Sequence, residues 1–321
     1  MTKKLNCVII FVKYLTQLSY ICIKQNVFLN IKFLRVKDKM IGEIHKLNVE
    51  KKDFFKDKLR LNLFNEQSIV NELNFALNSG QFKVYLQPIY SMSKNKFISS
   101  EALIRWHHPV KGIIYPSVFI PIFERNGYIS EIDCFVYKTV LKYLRERIKS
   151  GKKVIPISVN ISRVNFNRLT IYECITSLAR EYDIDRNYLR FEVTESAYSD
   201  NPEQLMESVK RLHDSGFKIL IDDFGSGFSS LNMLTEISAD YLKIDKCFVD
   251  KLEKFPKTRE IVANIIEMAK NLNMKVIAEG VETKKQSEIL TKLGADLMQG
   301  YFFARPMLIE DFSELLDSEK I

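Results

Sequence analysis

The sequence predicts a (β/α)₈ barrel, and three features of its pattern support that fold class. From residue 65 onward, short β-rich runs alternate with longer segments of helical periodicity over about 250 residues, a length typical of this barrel. Several runs, such as Lys218–Asp222, are almost continuously apolar, as expected for parallel strands that are covered on both faces. Eight such runs can be counted, which is the number that closes the barrel.

The elements follow one another along the chain in a regular order. A first helix is predicted over Asn65–Ser79, because apolar residues recur at helical spacing and Gly80 ends the pattern. The predicted strands are Val84–Pro88, Phe97–Arg105, Val154–Ile161, Leu189–Thr194, Lys218–Asp222, Tyr241–Asp245, Lys275–Glu279 and Leu297–Ala304. The later helices are predicted at Ile132–Ile148, Leu169–Glu181, Pro202–Ser215, Thr258–Asn273, Lys284–Leu293 and Ile309–Leu316.

The connection between the first two strands departs from the βα pattern. Only Ile89–Lys96 separates them. A parallel crossover needs about a dozen residues or more, so this connection is too short for one. We therefore predict that the two strands form an antiparallel hairpin and that the barrel opens with an irregular first strand.

The charge of the chain is concentrated at its N-terminus. The formal net charge is +8, but residues 1–64 contain 14 Lys or Arg and 5 Asp or Glu, whereas 65–321 contain 34 basic and 35 acidic residues. The predicted barrel is therefore close to neutral, and a general DNA- or RNA-binding surface is not indicated for it. Apolar residues make up 46% of the chain and charged residues 27%, as in an ordinary globular protein.

Residues 1–64 are predicted to be a basic extension that precedes a barrel domain at 65–318. Two uncharged apolar runs, Leu5–Val12 and Tyr14–Ile23, are each shorter than the ~20 residues that span a bilayer. Membrane association through residues 1–40, at the inner face of the membrane, is one interpretation, because Lys and Arg alternate with Phe and Leu further along. We favour the other interpretation, a solvated basic linker or the remnant of a lost upstream domain.

The cysteines give no sign of a disulfide framework or a structural zinc site. They are odd in number, widely spaced and without a CxxC motif: Cys7, Cys22, Cys134, Cys174 and Cys247. In a chain of this size, that pattern predicts reduced thiols in a cytoplasmic protein.

Polar side chains occupy the carboxyl ends of most predicted strands, where the chemistry of α/β barrels is located. Acid, amide or ammonium groups occur at or near the ends of seven strands: Glu101, Asn160, Glu192, Asp222 with Asp223, Lys243, Glu279 and Gln299. Each alone could be a loop cap. Because burying an unpaired carboxylate costs several kcal/mol, packing alone does not explain the whole set.

Divalent cations would offset this concentration of negative charge. Five carboxylates face one obvious cation, Lys243, and the donor set contains oxygen but no Cys or His. Such ligands suit Mg²⁺ or Mn²⁺. The adjacent carboxylates of Asp222 and Asp223 could serve two ions about 3.5–4 Å apart, the arrangement used for in-line displacement at phosphorus.

Eight short motifs point to a known family. They are YLQPI at 85–89, EALIRW at 101–106, VNIS at 159–162, FEVTES at 191–196, IDDFGSGFSS at 221–230, YLKIDK at 241–246, IAEGVET at 277–283 and QGYFFARP at 299–306. Collinear over about 68–316, they resemble the EAL-domain cyclic-di-GMP phosphodiesterases. The resemblance implies a modified TIM (β/α)₈ barrel with an antiparallel first strand, hydrolysis of cyclic di-GMP to linear pGpG with two Mg²⁺ or Mn²⁺ ions, and a homodimer.

The resemblance also implies a role for each matching residue. The ligands of a first ion would be Glu101, Asn160, Glu192 and Asp222, and those of a second ion Asp222, Asp223 and Glu279. Lys243 resembles the lysine that orients or deprotonates the attacking water, and deprotonation would require a lowered pKa. Gln299 resembles the residue that helps hold this water. Arg105 and Gln87 stand where the family contacts a substrate phosphate and a guanine.

A second group of residues is implied to support the site. Glu195 resembles the glutamate that braces the loop after the fifth strand, which here contains Gly225, Ser226 and Gly227. Glu282 either supports the same site or caps the following helix. The alternative function is that of a catalytically silent EAL domain that acts as a cyclic-di-GMP receptor or protein-interaction module. Silent members usually lack a metal ligand, and none is missing here.

Overall fold

The protein is described by a computed structural model that covers residues 66–166, 170–200, 202–225 and 230–318. The strands are β1 (Phe82–Ser91), β2 (Lys96–His108), β3 (Gly112–Ile114), β4 (Ile157–Asn160), β5 (Leu189–Thr194), β6 (Lys218–Phe224), β7 (Tyr241–Ile244), β8 (Lys275–Ala278), β9 (Leu297–Met298) and β10 (Met307–Leu308). The predictions made for residues 1–64 and for Ser226 and Gly227 lie outside the described residues.

The helices occupy the connections between the strands. They are α1 (66–78), α2 (Pro116–Asn126), α3 (Ile129–Lys149), α4 (Arg163–Phe166), α5 (Thr170–Glu181), α6 (Glu195–Asp200), α7 (Pro202–Asp214), α8 (Ser230–Glu236), α9 (Lys246–Val249), α10 (Pro256–Asn271), α11 (Lys284–Lys292) and α12 (Ile309–Ser318), with a 3₁₀ helix at Arg186–Tyr188. None of the helices in these ranges has the length and apolar character needed to cross a bilayer.

Eight strands of the described chain close into a ring, in the order β1-β2-β4-β5-β6-β7-β8-β9 and back to β1. β1 runs antiparallel to both of its neighbours, and the remaining pairs from β2 to β9 are parallel. The predicted fold class and the predicted β1–β2 hairpin are therefore confirmed. The two short strands β3 and β10 extend the hairpin at its outer edges.

The barrel interior is apolar below the rim at which the parallel strands end. A separate small cluster of buried residues fills it, with one side chain from each of five strands: Ile89, Leu220, Tyr241, Ile277 and Leu297. Side chains two positions apart in a strand point to the same face. Each member of this floor is therefore two residues from a polar residue of the predicted site, respectively Gln87, Asp222, Lys243, Glu279 and Gln299.

The outer face of the barrel packs against the helices through large apolar residues. The ring of Trp106 is fully buried between Phe82 and the helix α2, whose Phe119 and Phe123 are also fully buried. The sequence pattern did not predict α2, because Pro116 and Pro121 interrupt it. Pro116 fits the first turn, where its missing N–H costs nothing, and the aromatic contacts stabilise the rest of the helix.

Candidate active site

The structure brings the polar strand-end residues together at one end of the barrel. The side chains around a cleft of about 350 Å³ include Gln87, Glu101, Asp222, Asp223, Lys243, Glu279 and Gln299. They come from four β-strands and from the two residues that directly follow β8 and β9. The parallel strands all end at this rim, so residues more than 200 positions apart in the chain meet there.

Lys243 lies at the centre of the cluster. Its ammonium Nζ is 2.5 Å from Glu192 Oε2, 2.6 Å from Glu279 Oε1, 3.1 Å from Asp222 Oδ1 and 3.2 Å from Glu101 Oε2. The lysine side chain is only 1% exposed. One cation thus contacts four carboxylates in a place that water does not screen, and the cluster keeps an excess of negative charge.

The protonation of the acids reflects this excess. Burial raises the pKa of Glu279 to about 8 against the attraction of Lys243, and the Asp222 charge adds to the rise. Burial and the neighbouring Asp222 charge likewise raise the pKa of Asp223 to about 6. Burial and the Glu101 charge raise the pKa of Glu192 well above its usual value. Each of these carboxyls therefore releases its proton less readily than it would in water.

The pKa of Lys243 differs from the expectation for a general base. Burial alone would lower it, but the charges of Asp222, Glu101, Glu192 and Glu279 outweigh burial and raise the pKa well above its usual value. The side chain is therefore held as an ammonium. A lowered pKa, which proton abstraction by Lys243 would require, is not what the described residues produce.

Asp222 and Asp223 are adjacent in sequence yet their carboxylates share one side of the barrel. Regular pairing of β6 with β7 is interrupted between Ile221 and Phe224, and Asp223 has the left-handed φ of 55°. The interruption prevents the alternation that would place the two side chains on opposite faces. One oxygen from each of Asp222, Asp223 and Glu279 then lies within 4.8 Å of the others.

Two further observations fit a divalent cation. Oε1 of Glu192 is completely buried and receives no hydrogen bond from the described residues, and Oε1 of Gln299 is in the same situation. A buried oxygen without a partner costs about 1–3 kcal/mol, and more when it carries charge. The donor set consists of carboxylate and amide oxygens, which are the ligands that Mg²⁺ and Mn²⁺ prefer.

Three amide side chains are fixed around Glu101. Gln299 Nε2 donates to Glu101 Oε2 at 2.7 Å and to Gln87 Oε1 at 3.1 Å. Asn160 Nδ2 lies 3.4 Å from Glu101 Oε1. Gln87 in turn donates to the carbonyl oxygen of Ala304 at 3.3 Å. The predicted water-holding and guanine-contacting glutamines are thus bonded to each other, and this bond orients both amides.

Glu195 contacts the first residue of the loop after β6. Glu195 Oε2 accepts a hydrogen bond from the backbone N–H of Gly225 at 3.3 Å. Gly225 has a φ of 91°, and a Cβ at this position would lie 2.5 Å from the ring of Phe248. Only glycine combines that backbone conformation with so close a contact.

Lys246 at the rim of the cleft was not singled out in the sequence. Its Nζ contacts Asp250 Oδ1 at 2.7 Å and Glu282 Oε1 at 2.8 Å, and both Lys246 and Glu282 line the cleft. Glu282 therefore supports the rim, whereas Thr283 and Gln286 cap the helix α11. Lys246 lies three residues after Lys243 and just beyond the end of β7, and this position was the signal that could have identified it from the sequence.

Arg105 lies on β2 between two aromatic rings. Its guanidinium carbon is 5.9 Å from the centroid of Tyr85 and 5.6 Å from that of Tyr115. One of its nitrogens donates to the Ile104 carbonyl oxygen at 2.8 Å. No carboxylate among the described residues forms an ion pair with it, so the guanidinium is available to an anionic ligand.

A second hollow adjoins the cleft and is more apolar. It has a volume of about 400 Å³, and both hollows are lined by Leu103. Its walls come from β2, α2, α3 and the end of β4, and they include Asn160 and the buried acid Asp133. No sequence pattern indicated this hollow, because many residues of its walls also belong to the hydrophobic core.

Comparison with known proteins adds an independent line of evidence. The family model described as "EAL domain" matches residues 70–306. The chain is 34% identical over 263 residues to "Cyclic di-GMP phosphodiesterase NbdA" and 30% identical over 237 residues to "Cyclic di-GMP phosphodiesterase RocR", both of Pseudomonas aeruginosa. These alignments cover 82% and 74% of this chain, but only 34% and 60% of the two relatives.

A solved structure supports the same relationship. The structure titled "PaMucR Phosphodiesterase, c-di-GMP complex" superposes with a TM-score of 0.72 at 33% identity, covering 76% of this chain and 99% of that one. The chain spans about a third of the length of the first curated relative.

Proposed function

The chain belongs to the EAL domain family, and from this premise we propose that it hydrolyses cyclic di-GMP to linear pGpG in bacterial signalling. The observation that carries the proposal is the cluster of Glu101, Glu192, Asp222 and Glu279 around Lys243, in which four carboxylates share one buried cation at the rim of the barrel. Two relatives named as cyclic di-GMP phosphodiesterases and a neighbour solved with c-di-GMP give the substrate class.

Two divalent cations, Mg²⁺ or Mn²⁺, are part of the proposal. Glu101, Asn160, Glu192 and Asp222 would hold one ion, and Asp222, Asp223 and Glu279 the other. When bound, such ions lower the pKa of water and offset the charge that develops on a phosphodiester during in-line displacement. The unpartnered Oε1 of Glu192 and the proximity of the Asp222, Asp223 and Glu279 oxygens support this assignment.

The protein's own residues would orient the reactants. Gln299, fixed by Glu101 and Gln87, would hold the attacking water. Lys243 would orient the attacking water and, as an ammonium, stabilise the negative charge of the transition state. Loss of its proton to become a base would require the bound cations to lower its pKa, which the four carboxylates raise in the absence of cations. Arg105 would pair with a substrate phosphate, a use to which its planar guanidinium is suited.

The shape of the site is compatible with a ligand that has two planar bases. Cyclic di-GMP carries two guanines on a macrocycle of two riboses and two phosphates. The cleft and the second hollow both border Leu103, so a phosphate at the carboxylates could direct its bases into different hollows. A mononucleotide would leave one hollow empty.

The quaternary state and cellular location are further parts of the proposal. Homodimerisation follows from family resemblance, and light scattering of the purified protein would measure it. A cytoplasmic location is proposed from the odd number and wide spacing of the cysteines. Whether residues 1–40 associate with a membrane is a matter for cell fractionation.

A turnover assay tests the proposal. The purified full chain is incubated with cyclic di-GMP and Mg²⁺ or Mn²⁺, and products are identified by chromatography and mass spectrometry. We expect pGpG to form, and Glu101→Gln to abolish its formation. Glu146→Gln is the matched control, since Glu146 is an exposed acid of α3 whose only described ion pair is with Lys142 at 4.0 Å. Tight binding without turnover would instead identify a receptor.

A further inference from the structure

Two cysteines form a close pair outside the catalytic cluster. Sγ of Cys134 on α3 lies 4.0 Å from Sγ of Cys174 on α5. Both side chains are partly buried against the hydrophobic core and keep some access to solvent. Their sulfurs are close to van der Waals contact, although 40 residues separate them in the chain.

The location of the pair links it to the scaffold of the site. Cys134 follows Asp133, whose Oδ2 accepts hydrogen bonds from Ser162 N at 3.0 Å and Asn165 Nδ2 at 2.6 Å. One turn later, Tyr137 Oη donates to the carbonyl oxygen of Asn160 at 3.1 Å. The helix that carries Cys134 therefore holds the end of β4, while Cys174 belongs to α5, which follows β4.

The environment favours the disulfide over a reactive free thiolate. Burial raises the pKa of Cys174 to about 11, and the Cys134 sulfur adds to the rise. A dithiol becomes strongly oxidising when its reduced form is stabilised as a thiolate.

We infer that Cys134 and Cys174 are a redox modification site that closes to an intramolecular disulfide by exchange with a low-molecular-weight disulfide such as oxidised glutathione. One cysteine, as its thiolate, attacks the small disulfide, which gives a mixed disulfide and releases one thiol. The other cysteine then attacks the protein sulfur of that mixed disulfide and releases the second thiol. Two cysteine thiols are oxidised, one small disulfide is reduced to two thiols, and both protons pass to the released thiols or to solvent.

The cross-link would join α3 to α5 with little rearrangement. An S–S bond is about 2.05 Å long, so the sulfurs must approach by about 2 Å, which side-chain rotation and a small helix shift can supply. A cross-link across 40 residues removes conformational freedom from the unfolded chain. We therefore expect the oxidised protein to melt about 5 °C or more above the reduced protein. The pair takes no part in the hydrolysis proposed above.

The experiment maps the disulfides of the full chain at defined redox ratios. The protein is equilibrated with glutathione and oxidised glutathione, free thiols are blocked with N-ethylmaleimide, and tryptic peptides are analysed without reduction. The expected product is peptide 126–138 linked to peptide 169–180, each of which contains one cysteine. It should accumulate as oxidised glutathione increases and disappear with dithiothreitol. Recovery of Cys134 and Cys174 only as separate adducts would overturn the inference.

Variants separate the cross-link from general oxidation. Cys174→Ser should lose both the linked peptide and the rise in melting temperature, and Cys134→Ser provides a second test if one variant folds poorly. Cys247→Ser is the matched control, because Cys247 is exposed and lies on α9, and it should behave like the natural protein. Equal shifts in melting temperature for Cys174→Ser and the natural protein would contradict an α3–α5 cross-link.

Discussion

The ammonium of Lys243 lies 2.5 Å from Oε2 of Glu192, and neither side chain has more than 1% of its surface exposed. Water cannot stabilise either charge there, so each depends on its neighbours. An uncompensated charge in such a place costs about 3–5 kcal/mol. The stability of the barrel therefore depends on the balance of charges in the proposed active site.

Replacing Lys243 should reduce both stability and activity. In Lys243→Met, four carboxylates lose their shared cation, so we expect a lower melting temperature in EDTA and hydrolysis slower by about 100-fold or more. Divalent cations should raise the melting temperature of this variant more than that of the natural protein, because they replace the lost charge. Calorimetry and turnover measure the effects. Lys284→Met, at a lysine that is 80% exposed, is the control. Natural stability and turnover in Lys243→Met would contradict the proposed role.

Asp223 offers a test that separates stability from catalysis. Asp223→Asn keeps a residue type that tolerates the left-handed φ of 55° but removes a charge next to Asp222. Because the pKa of Asp223 is raised to about 6, its ionised form destabilises the metal-free protein at neutral pH. We expect Asp223→Asn to lose hydrolysis while the metal-free protein gains on the order of 1 kcal/mol at pH 8. Urea unfolding in EDTA measures this gain, and a loss of stability would be the contrary result.

Gly300 should not tolerate a side chain. A Cβ at this position would overlap the carbonyl oxygen of Val281, which belongs to the backbone and cannot rotate away. Gly300→Ala should therefore displace Gln299 and reduce both stability and turnover. Gly151→Ala is the comparison, since it has a φ of 64° but nothing within 4 Å of its Cβ, and it should cost only about 1 kcal/mol. Urea unfolding measures the free energy of unfolding that each variant loses. Equal losses in Gly300→Ala and Gly151→Ala would show that the contact with Val281 is unimportant.

The buried carboxyl of Asp133 should make the stability of the protein depend on pH. Burial raises its pKa to about 7, so the folded protein holds this proton more tightly than the unfolded chain does. The stabilisation that this group contributes is fully present below pH 3.8, the pKa of the carboxyl in the unfolded chain. It is lost as the pH rises through about 7, the pKa in the folded protein. Compared with Asp133→Asn, the natural protein should lose about 2 kcal/mol between pH 5 and pH 8. Urea unfolding at both values tests this, and parallel pH profiles would exclude the effect.

The sequence predicted the barrel because the same two constraints act on every strand. Parallel strands covered on both faces must be apolar, and their carboxyl ends must share one rim, so Glu101, Glu192 and Glu279 could be placed together from spacing alone. The short Ile89–Lys96 connection likewise allowed only a hairpin, which the pairing of β1 and β2 confirms.

The parts that the sequence did not predict depend on contacts between distant residues. The helix α2 is stabilised by the packing of Phe119 and Phe123 on Trp106, which local propensity does not reveal. A base at Lys243 would need a lowered pKa, but without bound cations the proximity of four carboxylates from distant strands raises it, which the sequence does not reveal. Metal ligation itself remains a prediction. It rests on the motifs and on Oε1 of Glu192, a buried oxygen without a hydrogen-bond partner among the described residues.

The most direct test measures turnover of cyclic di-GMP at graded free Mn²⁺ in the natural protein and in Glu192→Gln. We expect turnover of the natural protein to be absent in EDTA, to rise with Mn²⁺ and to saturate. Because Glu192→Gln replaces a buried ligand, we expect its half-saturating Mn²⁺ concentration to increase by about 10-fold or more, or its turnover to vanish. Full turnover in EDTA, or identical Mn²⁺ dependence in the two proteins, would contradict catalysis by cations held between these strands.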